Sequence, residues 1–196
     1  MKKNLLLFVL IIITCIITGE DMKVSITAGA EWNHTYWFMK IIPVKLSPQI
    51  AVWTADEDDK LIETLFVTEK NSKINREEAL PYWGSKKERK EMQITSATPK
   101  DNFSIHWDKP TSDASYIYAE VNNSFDYNKH YPNVKGDVDG QPSLIYRAEM
   151  NHDAKEIFLE PYGIYQDNQI SNDLSKLTGA LEILSEIKVE VSDSAD

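Results

Sequence analysis

Oxygen-bearing side chains crowd two stretches of this 196-residue chain. Asp137-Val138-Asp139-Gly140 has the alternating acids and following glycine that open a calcium loop, where hard carboxylate and carbonyl oxygens surround the ion. Asp126 and Asn128 lie in the same connection, so Asp126, Asn128, Asp137 and Asp139 form the candidate set for a cation such as Ca2+. The glutamate that would complete such a loop is missing, because Ile145 and Tyr146 stand where it would fall. A second acidic run, Asp56-Glu57-Asp58-Asp59, sits between two strand-like segments and is expected to be a solvated turn. The histidines are His34, His106, His130 and His152, and no pair has the helical spacing of a zinc site. His130, inside Asp126-Tyr127-Asn128-Lys129-His130-Tyr131, is the best placed of the four to contact a ligand or partner, with Tyr131 beside it.

Other chemistry is poorly served. The chain has one cysteine, Cys15, so thiolate catalysis, disulfides and cysteine metal sites are excluded from everything after it. No nucleophile elbow and no phosphate-cradling glycine loop occurs. Trp32, Tyr36 and Trp37 could together form a platform on which a sugar or peptide stacks, whereas Trp53, Trp107 and Tyr118 fall in strand-like runs and are expected in the core.

The elements that must carry these residues are mostly strands. Apolar residues recur with period two in short runs separated by turn residues. Val24 to Thr27, Thr35 to Ile42, Gln49 to Thr54, Leu61 to Thr68, Ile94 to Ala97, Phe103 to Trp107, Ser115 to Val121, Ser143 to Ala148 and Glu156 to Glu160 read this way. The clearest hairpin joins Gln49–Thr54 to Leu61–Thr68, although the alternation of the second run slips between Ile62, Phe66 and Val67. Asn75 to Leu80 suggests a helical turn that Pro81-Tyr82-Trp83-Gly84 would end. Asn122 to Gln141 is a long polar connection. Leu174, Leu177, Leu181 and Leu184 have helical spacing behind a cap at Asn172 or Asp173, and Ile187, Val189 and Val191 then alternate as a last strand. The expected fold is mostly β: an immunoglobulin-like antiparallel β-sandwich with one short helix near the C-terminus.

Residues 1–19 read as a secretory leader, with Lys2 and Lys3 ahead of the apolar stretch Leu5 to Ile17 and a small-residue exit at Gly19. That stretch falls short of the roughly 20 residues of a membrane-spanning helix. Residues 20–191 would then form one sandwich domain, with 192–196 as a disordered tail. Ile12-Ile13-Thr14-Cys15 loosely matches a bacterial lipoprotein box, so membrane contact is expected only through a lipid on Cys15 or an uncleaved leader. Loss of residues 1–19 removes Lys2 and Lys3 and no acids, which leaves 19 basic against 31 acidic residues, a net −12. Such a surface repels phosphate backbones, and nucleic acid is excluded as a partner.

The order of several short motifs resembles a family of predicted bacterial periplasmic proteins (domain-of-unknown-function family 2271). The motifs are Gln49-Ile50-Ala51-Val52-Trp53, Leu61 to Thr68, Leu80-Pro81-Tyr82-Trp83, Ile94-Thr95-Ser96-Ala97-Thr98-Pro99, Ile105-His106-Trp107-Asp108 and Gln141-Pro142-Ser143-Leu144-Ile145-Tyr146. That family is similar in layout to the immunoglobulin-like domain of flagellar hook-capping proteins. The resemblance implies a β-sandwich in the cell envelope and no established reaction. Relatives often carry glycine where this chain has Ser96, in a segment like those whose threonine receives covalent flavin in other exported proteins. Thr98 would be the acceptor here, but Ser96 and Pro99 depart from that pattern and favour a strand-ending turn.

These observations predict an exported, noncatalytic binding or structural module of the periplasm or cell envelope, whose partner is another exported or envelope protein and which needs no cofactor. Trp32, Trp37, His130 and Tyr131 are the candidate contact residues. Two alternatives compete with it. One is a redox- or metal-linked accessory protein using Thr98 or the 126–140 loop. The other is a hydrolase whose catalytic residues are dispersed along the chain.

Overall fold

A computed structural model describes residues 21–68, 79–86, 95–96, 99–107, 113–134, 140–151 and 153–192. The leader with Cys15, and also Thr98, Asp137, Asp139, His152 and the tail from residue 193, lie outside the described residues. In chain order the elements are β1 (Asp21–Ala28), β2 (His34–Phe38), β3 (Ile42–Leu46), β4 (Gln49–Ala55), β5 (Leu61–Thr68), α1 (Pro81–Lys86), β6 (Thr95–Ser96), β7 (Phe103–Trp107) and β8 (Tyr116–Asn122). They continue with β9 (Leu144–Glu149), β10 (Glu156–Phe158), β11 (Glu160–Gln166), β12 (Gln169–Ser171), a 3-10 turn at Gly179–Glu182 and β13 (Leu184–Ser192).

The molecule is mostly β, as the alternation predicts, and it is a sandwich. One sheet has the order β10-β13-β1-β7 and the other β12-β11-β9-β8-β4-β5-β6, antiparallel except where β6 joins β5 in parallel. Period two explains the core. Met22, Val24 and Ile26 of β1 and Ile187 and Val189 of β13 face Ile50 and Val52 of β4, Ile117, Ala119 and Val121 of β8, and Leu144 of β9. The alternate residues of the larger sheet are not solvated. Ala51, Trp53, Tyr118 and Ile145 face outward beneath Leu80, Tyr82 and Trp83, so α1 roofs the outer face and builds a second core. With both faces covered, β4 and β8 are buried along almost their whole length.

Several sequence expectations change for local reasons. The slipped alternation of β5 comes from two β-bulges in its ladder with β4, between Val52 and Trp53 and between Thr54 and Ala55. Pro81 opens α1, which suits a residue with fixed φ and no N–H to orphan, while the helical turn expected over Asn75 to Leu80 lies, up to residue 78, outside the described residues. The Thr35 to Ile42 run folds back on itself as the hairpin β2–β3, turning at Met39 and Lys40, both at positive φ. β11 and β12, which the alternation did not reveal, form a second such hairpin around Asp167 and Asn168, again at positive φ. The C-terminal helix is only the 3-10 turn Gly179–Glu182, shorter than the leucine spacing suggests. Here backbone groups go to distant partners: Thr178 N donates to Gln141 Oε1 at 2.7 Å, and Lys176 O accepts from Asn128 Nδ2 at 2.9 Å.

Candidate functional site

Of the polar residues singled out in the 126–140 connection, Asp126 and Asn128 are described, and both are engaged within the protein. Asp126 is buried, and its Oδ1 accepts from Gln141 N at 2.8 Å while Oδ2 accepts from Gln141 Nε2 at 3.1 Å. Burial pushes this carboxyl up to about 6, against the hydrogen bonds from Gln141 that favour its charged form. Asn128 Oδ1 takes the backbone N–H groups of His130 and Tyr131, and Nδ2 reaches Gln141 Oε1 at 3.0 Å. Gly140 is required at the join: its φ is +75°, and a Cβ there would stand 2.3 Å from Asp126 Oδ1. Asp126 and Asn128 are thus brought together around Gln141 as a knot that ties the long connection to the C-terminal segment. Among the described residues no group of three His, Cys, Asp or Glu is placed to hold a metal ion.

The acidic run at 56–59 divides in two. Asp56 Oδ1 caps its own turn by accepting from Asp58 N and Lys60 N at 3.0 and 2.9 Å. Asp59 turns toward α1, where its Oδ2 accepts from Tyr82 OH and pairs with Lys86. Burial alone would raise the Asp59 carboxyl, but the hydrogen bonds from Lys86 and Tyr82 outweigh it and hold the group below the usual range. Of the histidines, His34 contacts Glu31 Oε2 at 3.1 Å, while His106 and His130 are exposed.

Glu120 is the group that sequence reasoning missed. It is fully buried in β8 and accepts from Tyr82 N at 3.1 Å, Trp83 N at 2.8 Å and Ser143 Oγ at 2.6 Å. Burial nevertheless pushes its carboxyl up to about 7. Its place on the same face as Tyr116 and Tyr118 was legible from the alternation; that α1 would cover it was not. Around it Trp53 stacks on Tyr118 with ring centroids 5.2 Å apart, and Tyr82 meets both edge-on. Arg147 lies over Tyr116 and Tyr162 at 4.7 and 4.0 Å. The cluster fastens α1 to the sheet. Its buried carboxylate faces protein donors.

The aromatic platform expected from Trp32, Tyr36 and Trp37 does not form. Trp32 is 2% exposed and belongs to the sandwich core, which corrects its place among the contact residues. Tyr36 stacks on Phe125 at 4.6 Å, and Tyr131 packs half-buried against the core. Trp37 alone stays out, and it has company. The hairpin displays Trp37, Phe38, Met39, Ile41, Ile42 and Val44, which are six of the nine exposed large hydrophobic residues among those described. Scattered singly such residues mean little, but a contiguous group marks an interaction surface. The register pairs Trp37 with Pro43 on one face of the hairpin, and Tyr36 with Val44 and Phe38 with Ile42 on the other.

The described residues thus form a sandwich with one roofed sheet and one apolar hairpin that belongs to neither sheet. No family model matches the chain, and neither the curated proteins nor the solved structures yield a match to it. The hairpin is therefore read on its own geometry.

Proposed function

We propose that the chain is an exported, noncatalytic module of the periplasm or cell envelope, an immunoglobulin-like sandwich that docks on another envelope component through hairpin β2–β3. The observation that carries this reading is the exposure of six large apolar side chains on one short hairpin whose base is fixed by the Tyr36–Phe125 stack. Leaving such a surface in water is unfavourable by about 25 cal/mol for each Å² of apolar area, which docking would recover. The assignment of export rests on the leader-like residues 1–19. The noncatalytic reading is supported by carboxylates that turn inward: Glu120, Asp126 and Asp59 each accept hydrogen bonds from the protein's own donors.

A photocrosslinking amino acid at Ile41, in the protein exported by its host, tests this directly. The same group at Val134, exposed but on the 122–141 connection, is the control. The expected result is an adduct with an envelope component from position 41 that position 134 does not give. Equal labelling from the two positions would sink the reading.

A further inference from the structure

We propose that the tip of hairpin β2–β3 inserts into the headgroup layer of an anionic lipid surface. This rests on the docking reading above and names what the hairpin meets.

Apolar groups surround the tip of the hairpin. A hairpin that lies on a protein face needs one apolar side, because period two turns alternate residues away from the contact. Here both sides are apolar near the turn. Phe38 and Ile42 pair on one face, Trp37 and Pro43 pair on the other, and Met39 and Ile41 stand exposed at the bend. A tip whose two faces are both apolar, with Lys40 alone charged at the bend, fits a medium that surrounds it. Toward the base this character ends: Thr35 and Lys45 pair on the outer face, while His34 and Tyr36 on the inner face meet Glu31 and Phe125. The apolar zone is thus confined to the part of the hairpin that the body leaves uncovered.

The hairpin also differs from the rest of the chain in charge. The whole chain carries a formal −10, yet no Asp or Glu occurs between Glu31 and Asp56. The hairpin contributes Lys40 at the turn and Lys45 near the base. An acidic protein that presents an acid-free element with two exposed lysines is complementary at that element to anionic headgroups. Lysine stems lie along apolar surface while the ammonium stays at the phosphates, and tryptophan prefers the same interfacial level.

The open edges of the hairpin limit the depth of insertion. A two-stranded sheet has two open edges, and unpaired backbone groups are not tolerated in hydrocarbon. Pro43 removes only one of those donors. A five-residue strand spans about 16 Å, so its outer half can enter the boundary of headgroup and acyl chain, some 5–10 Å deep, with Tyr36 left at the protein body. This contact is separate from any lipid or leader at residues 1–19.

Cosedimentation of the exported protein with phosphatidylcholine vesicles, with and without phosphatidylglycerol, is the test. Wild type should pellet with the vesicles containing phosphatidylglycerol, and less as salt is raised. F38S/I41S/I42S should bind at least about tenfold more weakly. K40E/K45E, which leaves the apolar tip intact, should lose the preference for phosphatidylglycerol. Matching near-UV dichroism will show that each variant is folded. The proposal is overturned if wild type does not pellet with anionic vesicles, or if the apolar variant pellets as well as wild type. If the vesicles are ignored while position 41 still crosslinks to an envelope protein, the lipid assignment falls and the docking reading stands. If the crosslink is absent too, both fall.

Discussion

Trp53 and Trp37 are the same side chain put to opposite uses. Trp53 is 1% exposed in β4, stacked on Tyr118 and roofed by Tyr82, in a region where every neighbouring strand is covered on both faces. Trp37 is 55% exposed on a two-stranded hairpin that belongs to neither sheet. The polar groups divide the same way. Around Trp53 a buried carboxylate is matched to two backbone N–H groups and a hydroxyl, while the hairpin tip beyond Tyr36 carries one lysine and otherwise apolar side chains. The outer face of the seven-stranded sheet uses its chemistry to hold the fold. The hairpin leaves apolar surface that folding does not consume. Asp59 and Asp126, polar residues that draw the eye in the sequence, are thus held by the protein's own donors, and the exposed apolar surface comes from residues with no polar chemistry.

Matched substitutions give the largest test of that contrast. Trp53→Ala should cost about 4 kcal/mol in urea unfolding, since it removes a fully buried indole and leaves a cavity. Trp37→Ala should change stability by no more than about 0.5 kcal/mol. Similar costs at the two sites would break the comparison. The next effect is in the pH dependence of stability. Glu120 and Asp126 are raised to about 7 and about 6 from ordinary values of 4.5 and 3.8. Between those limits the folded state holds more protons than the unfolded chain, so their contribution is fully present below about pH 4 and is lost as pH rises through 6 and 7. Glu120 alone should account for a fall on the order of 3 kcal/mol by neutral pH. Glu120→Gln should flatten the upper part of that profile, and a wild type that gains stability between pH 5 and 7 would contradict the account. A smaller effect belongs to the knot at Gln141. Asn128→Ala removes the acceptor for His130 N and Tyr131 N and should cost about 2 kcal/mol, with hydrogen exchange quickening at those two amides.

Much of the fold was legible from alternation alone. β7 runs from Phe103 to Trp107 as its pattern indicated, β4, β5, β8 and β9 fall within a residue or two of expectation, and β13 begins three residues before the alternation of Ile187, Val189 and Val191. The failures have physical causes. Leu174 to Leu184 has helical spacing, but Gln141 and Asn128 claim Thr178 N and Lys176 O, and tertiary hydrogen bonds override local propensity. The hairpin β2–β3 was hidden because Met39 and Lys40 turn at positive φ without glycine or asparagine to announce it. Of the expected contact residues, Trp37 and His130 are exposed and Trp32 is buried. Trp32 and Trp37 stand five positions apart in sequence, and only the packing against the sandwich core decides which is covered. Glu120 could be placed on the aromatic face by parity, but its burial depends on α1, which lies far from it in sequence.

The central claim is that the hairpin is covered in the envelope and bare in solution. Hydroxyl-radical footprinting of the exported protein, in buffer and in the intact envelope fraction, measures this without any substitution. Met39 and Trp37, 70% and 55% exposed, should be oxidised readily in buffer and several-fold less in the envelope, while the exposed Phe158 of β10 reacts equally in both. Equal oxidation of Met39 and Trp37 in the two samples would contradict the account.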